Sequence, residues 1–174
     1  MIVYPEGVRA LVADPPWPFV DALPGPGRGA AKHYDLMTVE QIKAFPMPTF
    51  DPAGAWLFLW RVASMQQEAL DVLAAWGFTL KSELVWVKTT QHDKLAFGMG
   101  RYVRNTHEVC LIGTRGRVRP AVRNVRSVFM APLGSHSQKP DEFYDIVRAL
   151  TPEPRVELFA RQVQPGFYAH GLEL

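Results

Sequence analysis

The sequence predicts a three-layer α/β fold on a largely parallel sheet, in a single domain spanning residues 1–174. Three observations carry this. Continuous apolar runs of strand length occur at 10–13 and 55–60, and again within 154–160, as expected of strands covered on both faces. Segments with helical spacing lie between such runs, and that alternation is the pattern of a sheet with helices on both sides. A chain of 174 residues, 48% of them apolar, can bury one sizeable core.

The elements follow in order. The first strand, 10–13, stops at Asp14-Pro15-Pro16-Trp17. The two prolines fix φ and donate no hydrogen bond, and Pro15 holds Asp14 out of helical geometry. A rigid loop with free carbonyls beside a carboxylate and an indole face is expected. Residues 18–32 are rich in Pro and Gly and read as a gating loop or a plain connection. Thr38 is a good N-cap for a helix over 39–45, which Pro46 and Pro48 end.

After the strand at 55–60, Val62, Met65, Ala69, Val72 and Trp76 recur at helical spacing, and Gly77 closes that helix. A strand over 78–87 leads into Lys88 and Thr89, and 90–105 is a long polar loop. Strands are expected at 108–114 and 127–131. Lys139-Pro140-Asp141-Glu142 opens a helix whose apolar face is Phe143, Ile146, Val147 and Leu150. The last clear strand is 154–160, and 161–174 reads as a tail.

In parallel sheets ligands sit at the carboxyl ends of the strands, near a switch in strand order. Asp14, Lys88, Thr114 and Arg161 each follow or end an expected strand, so they are expected to share one rim. The sequence has no Gly-x-x-x-x-Gly-Lys and no Gly-x-Gly-x-x-Gly after a strand, which disfavours P-loop hydrolases and nicotinamide dehydrogenases. Cys110, the one cysteine, sits in an apolar run and reads as core. The five histidines show no ligand spacing, so no metal site is expected. No apolar run is long enough to span a bilayer and no leader follows Met1, so a cytoplasmic protein is expected.

Net charge is +2, but 101–126 holds seven arginines against one acid, Glu108. That segment reads as a phosphate footprint or, more plainly, as a solvated loop.

The Asp-Pro-Pro-Trp inventory suits a planar base with an exocyclic amine. Two acceptors take its two N–H hydrogens while the ring stacks on Trp17. Further blocks support this: Trp56-Leu57-Phe58-Leu59-Trp60, Trp76-Gly77-Phe78, Trp86-Val87-Lys88-Thr89, and Glu108-Val109-Cys110-Leu111-Ile112-Gly113. So do His136-Ser137-Gln138-Lys139-Pro140-Asp141-Glu142 and Glu157-Leu158-Phe159-Ala160-Arg161. In these motifs the chain resembles the family of the messenger-RNA adenosine-N6 methyltransferase catalytic subunit, which also has bacterial and phage members acting on DNA.

The resemblance implies a Rossmann-like methyltransferase fold, with the catalytic motif preceding the cofactor half, and S-adenosylmethionine as cofactor. It implies catalytic roles for Asp14, Pro15, Pro16 and Trp17. It implies cofactor contacts from Asp14, from Lys139 to the cofactor carboxylate, from Arg161, Glu157 and Gln162 near the ribose, and from Glu173. The plainer readings are an exposed lysine at a helix start for Lys139 and a local ion pair for Glu157 and Arg161. Candidate substrate contacts are Trp17, Tyr34, Lys88, Arg115, Arg117 and Arg119.

Three departures stand out. Only thirteen residues precede Asp14, where many relatives carry another strand and an acidic loop. Leu172 stands where relatives often have asparagine. No recognition domain is expected after Leu174, so specificity falls to the loops, the arginine segment, a homodimer or a partner subunit. The expected activity is adenine-N6 methylation of nucleic acid, DNA favoured over RNA. Two alternatives stay open: a catalytically silent nucleic-acid-binding subunit, and a methyltransferase for another planar nitrogen. The intact Asp14 and Trp17 argue against both.

Overall fold

The computed structural model describes residues 3–19, 36–98, 100, 102–134 and 138–171. Its seven strands form one sheet: β1 (Ala10–Ala13), β2 (Gly54–Arg61), β3 (Thr79–Thr89), β4 (His107–Gly116), β5 (Val128–Pro132), β6 (Arg155–Ala160) and β7 (Tyr168–Gly171). The spatial order is β5-β3-β4-β2-β1-β6-β7. Every neighbouring pair is parallel except those made by β4, which runs against both β2 and β3.

Helices α1 (Val39–Lys43) and α2 (Gln66–Ala75) cover one face, and α3 (Asp141–Leu150) covers the other. The apolar runs are explained by this. Leu11 and Ala13 of β1 face the α1/α2 layer, and Ala10 and Val12 face α3. In β2 the split is Leu57 and Leu59 against Trp56, Phe58 and Trp60. Each fully buried large side chain contributes about 1.5–3 kcal/mol. Thr38 caps α1 as expected, in a reciprocal pair with Gln41: its Oγ1 accepts from the Gln41 N–H and its N–H donates to Gln41 Oε1. Cys110 is buried in the α3-side core.

Two expectations are corrected. The segment 161–174 is not all tail, because Tyr168–Gly171 adds an edge strand beside β6. Its four residues carry no apolar run, so nothing in their pattern announces a strand. Thr114 does not lie on the rim of Asp14: it pairs with Trp56 near the start of β2, because β4 is reversed.

The far rim is tightly built. Gly54 has φ of 143°, and a Cβ there would sit 2.5 Å from the Arg115 carbonyl oxygen. Gly54→Ala should therefore cost about 3 kcal/mol and lower the thermal melting temperature. An unchanged melt would mean that the β2–β4 end relaxes freely.

Candidate active site

β1 lies between β2 and β6, so the chain leaves it in one direction and later returns on its other side. That is the switch point of the sheet, where a crevice opens above the strand ends. A narrow cleft lies there, lined by Asp14, Gln138, Lys139, Tyr144, Glu157, Phe159, Arg161 and Gln162. Asp14 leaves β1, Arg161 leaves β6, and Lys139 arrives just ahead of α3.

A row of alternating charges crosses the rim. Arg161 Nη2 is 3.5 Å from Asp14 Oδ2, and Lys139 Nζ is 3.1 Å from the same oxygen. Lys139 Nζ also donates to Glu108 Oε2 at 2.8 Å, and Lys88 Nζ donates to Glu108 Oε1. Burial opposes the Lys139 ammonium, yet Asp14 and Glu108 hold it well above the usual lysine range. Burial alone would raise the Glu108 carboxyl; the Lys139 and Lys88 ammoniums overcome it and hold Glu108 at about 2. The Lys139 ammonium also sits 4.7 Å over the Trp60 ring.

Glu157 is a different kind of acid. It is 4% exposed, on the α3 side of β6, and accepts a 2.7 Å hydrogen bond from Tyr144 at Oε1. Its Oε2 has no hydrogen-bond partner among the described residues. Burial pushes the carboxyl up to about 7. The Tyr144 bond works against that, Asp14 adds to it, and Lys139 and Arg161 oppose it. Burial also pushes the Tyr144 hydroxyl far up, with Glu157 adding to the effect, so it stays a donor. Next along β6, Phe159 has φ of 60°, in the left-handed region, at a break in the β6–β7 register. A strained backbone of this kind is kept only where the surroundings enforce it.

The sign of the Glu157 effect is set by linkage. An unfolded glutamate ionises near pH 4.3, so as pH rises from there to about 7 the unfolded chain sheds a proton that the native one keeps. Native stability should therefore fall across that window, and Glu157→Gln should flatten the fall. Melting curves across the window check this; an equally steep fall in the variant would place its origin elsewhere.

The catalytic-motif loop is fixed by its own backbone. The Pro15 carbonyl accepts from Trp17 N–H at 2.8 Å, and the Pro16 carbonyl accepts from Met37 N–H at 3.0 Å. The carbonyls are thus not free, although each retains a second lone pair. Trp17 departs from expectation too. It is 3% exposed, packs in the α1/α2-side core, and its indole N–H donates to the Trp60 carbonyl at 3.0 Å. In this structure it anchors the loop to the end of β2 and presents no open stacking face.

Of the remaining candidates, Lys88 reaches the rim but is committed to Glu108. Arg115 does not reach it. Its guanidinium lies 4.8 Å over Phe50 and 5.9 Å over Phe78, under the α1/α2 side of the far rim. Arg117 and Arg119 begin at that far rim as well, because β4 carries its carboxyl end away from Asp14. Tyr34, Glu173, Leu172, His136 and Ser137, and the gating loop beyond Phe19, lie outside the described residues.

Glu108 and Tyr144 were missed as site residues. A signal for Glu108 was present: no helical segment separates β3 from β4, and parallel neighbours need a crossover. A hairpin follows, and it sets an acid at the start of β4 opposite Trp86, diagonal to Lys88 at the end of β3.

Residues 9–173 match the MT-A70 family. An N(6)-adenosine-methyltransferase MT-A70-like protein of Drosophila melanogaster is 31% identical over 170 residues, 94% of this chain and 26% of that protein. The N(6)-adenosine-methyltransferase catalytic subunit METTL3 of Homo sapiens is 30% identical over 94% of this chain and 28% of its own length. The Type II methyltransferase M.MunI of a Mycoplasma species is 25% identical over 95% of this chain and 77% of its own length. The chain thus spans about a quarter of the adenosine-methyltransferase relatives and most of the Type II enzyme. With the match running from the strand before Asp14 to the last edge strand, this chain belongs to the MT-A70 family of methyltransferases.

Proposed function

We propose that this chain transfers a methyl group from S-adenosylmethionine to N6 of adenine in nucleic acid, DNA in preference to RNA. The observation that carries the reading is Asp14 at the switch point, held by Lys139 and Arg161 beside two proline carbonyls. An aromatic amine is a weak nucleophile because its lone pair is delocalised into the ring. Asp14 and a second lone pair on the Pro15 or Pro16 carbonyl would accept its two hydrogens, returning electron density to N6. Asp14 acts as an acceptor and not as a strong base, since the amine proton becomes acidic only once the methyl has moved; the Asp14 carboxylate would then take that proton and pass it to solvent. Positioning and fixed charge then supply most of the rate. In a duplex the target base must first leave the stack.

The polar groups that line the cleft support this choice of cofactor. The buried, unpartnered Glu157 Oε2 calls for a hydroxyl donor, which a ribose supplies. Lys139 spends two of its three N–H donors on Asp14 and Glu108, leaving the third for a carboxylate. Arg161 and Gln162 line the same cleft. When bound, the cofactor supplies an electrophilic methyl on a sulfonium. The names of the adenosine-methyltransferase relatives support adenine N6, and the likeness to a Type II methyltransferase over most of its length supports DNA. Those same adenosine relatives favour RNA as the second reading.

The test is methyl transfer to single-stranded DNA, duplex DNA and RNA, with the modified nucleoside identified by mass spectrometry. N6-methyladenine in DNA is the expected product. A methyl on another base, or no transfer by a protein that binds the cofactor, overturns the reading.

A further inference from the structure

Between β4 and β5 the chain runs as a strap across the α3 side of the sheet. It starts at the far rim, where Arg117 N–H donates to the Ala53 carbonyl. It passes the end of α3, where Ala121 N–H donates to the Leu150 carbonyl. It rejoins the sheet where the Ser127 carbonyl accepts from Val85 N–H. Val118, Val122 and Val125 pack inward against the α3-side core. Arg117, Arg119, Arg123 and Arg126 alternate with them and are exposed. No acid lies between Arg117 and Arg126, and none of the four arginines has an ion-pair partner among the described residues. Arg115, stacked on the opposite face, is not part of this row.

Four unpaired guanidiniums on a backbone fixed at three points and held down by three valines make a rail of positive charge. Its level in the sheet can be followed from the register. Ala53 precedes the Gly54–Gly116 pair, while Val85 is level with Val109 and hence with Arg61. The rail therefore climbs about eight residues of strand, roughly 25 Å, from the far rim toward the level of the active-site rim. Phosphates on one strand of a duplex advance about 3.4 Å each, so that reach corresponds to roughly seven base pairs.

We infer that this arginine strap is a second nucleic-acid contact, gripping the phosphate backbone well outside the target base without touching the reacting atoms. The inference rests on the proposed activity for its choice of partner. Its chemistry is charge alone: guanidiniums with no base-reading partner bind phosphate without regard to sequence. A substrate too short to reach the strap meets only the rim; a longer one meets both.

The test compares duplex DNA of about 36 base pairs with a short hairpin duplex of about 6, less than the reach of the rail, with affinity followed against salt, for wild type and an R117Q/R119Q/R123Q/R126Q variant. Wild type should bind the longer duplex at least about tenfold more tightly, and the variant should lose that gain. Its salt slope on the long duplex should fall by about 3–4, since each duplex phosphate contact contributes roughly 0.9. A fourfold Arg→Lys variant should recover the slope, separating lost charge from a disturbed fold. Cofactor affinity and the thermal melt should not change. A variant that keeps the gain and the slope overturns the inference. So does one whose DNA binding is unchanged but which no longer binds vesicles of anionic lipid that wild type binds. If wild type shows the length-dependent grip but methylates neither duplex, the proposed activity fails and the strap stands.

Discussion

Asp14→Asn should lower the transfer rate at saturating substrates by at least about a thousandfold, which is about 4 kcal/mol of transition-state stabilisation. The substitution keeps the volume and one carbonyl-type acceptor. It removes the charge that faces the Lys139 ammonium and the Arg161 guanidinium, and it sets an N–H where an acceptor is needed. The target amine would then meet two buried cations, with only Glu108, which Lys88 also holds, to offset them. Such a site disfavours the positive charge that develops on N6 as the methyl arrives. Single-turnover transfer with nucleoside mass spectrometry checks it, beside a cofactor titration that separates binding from chemistry. A loss below about tenfold would mean that another group accepts the amine hydrogens.

Lys139→Met should destabilise the fold by about 3–5 kcal/mol and also abolish activity, because it leaves two carboxylates facing an apolar side chain. Lys139 is 11% exposed at the side chain and bridges Asp14 and Glu108. Its removal leaves Asp14 with Arg161 only and Glu108 with Lys88 only. The pH dependence gives the signature. In the native protein Glu108 is held at about 2, so its contribution is present above the unfolded value near 4.3 and is lost as pH falls through about 2. In the variant that carboxyl takes up a proton more readily. The deficit in melting temperature should therefore be greatest above about pH 5 and shrink toward acid. A deficit constant with pH would point to lost packing against Trp60 instead of lost charge.

How far the sequence carried depends on what each residue's neighbours supply. Strands β1, β2 and β6 were legible because both faces are covered, so the run itself is apolar whatever the direction of each side chain. The N-cap at Thr38 and the break at Gly77 were legible because each acts within one turn of chain. Asp14, Lys139, Glu157, Arg161 and Gln162 were named in advance and now line one cleft. What stayed hidden was orientation. Trp17 looks like a stacking surface beside two prolines, and only the tertiary fold shows its indole turned inward to the Trp60 carbonyl. The direction of β4 decided which end of the arginine segment faces the cleft, and a strand's composition does not encode its direction. Tyr144 is one apolar-face residue among several on α3 until β6 places an acid across from it.

The reversed strand has a consequence for how such a protein can be altered. One connection of β4 opens beside the working cleft, and the other opens behind it and threads back along the flank. Changing the length or composition of one leaves the frame of the other untouched, since the pairing of β4 with β2 and β3 lies between them. Under the proposed function and the inferred strap, the connection beside the cleft and the surface that holds the nucleic acid are separately interchangeable parts. An engineer, or a lineage under selection, can retune one without rebuilding the other.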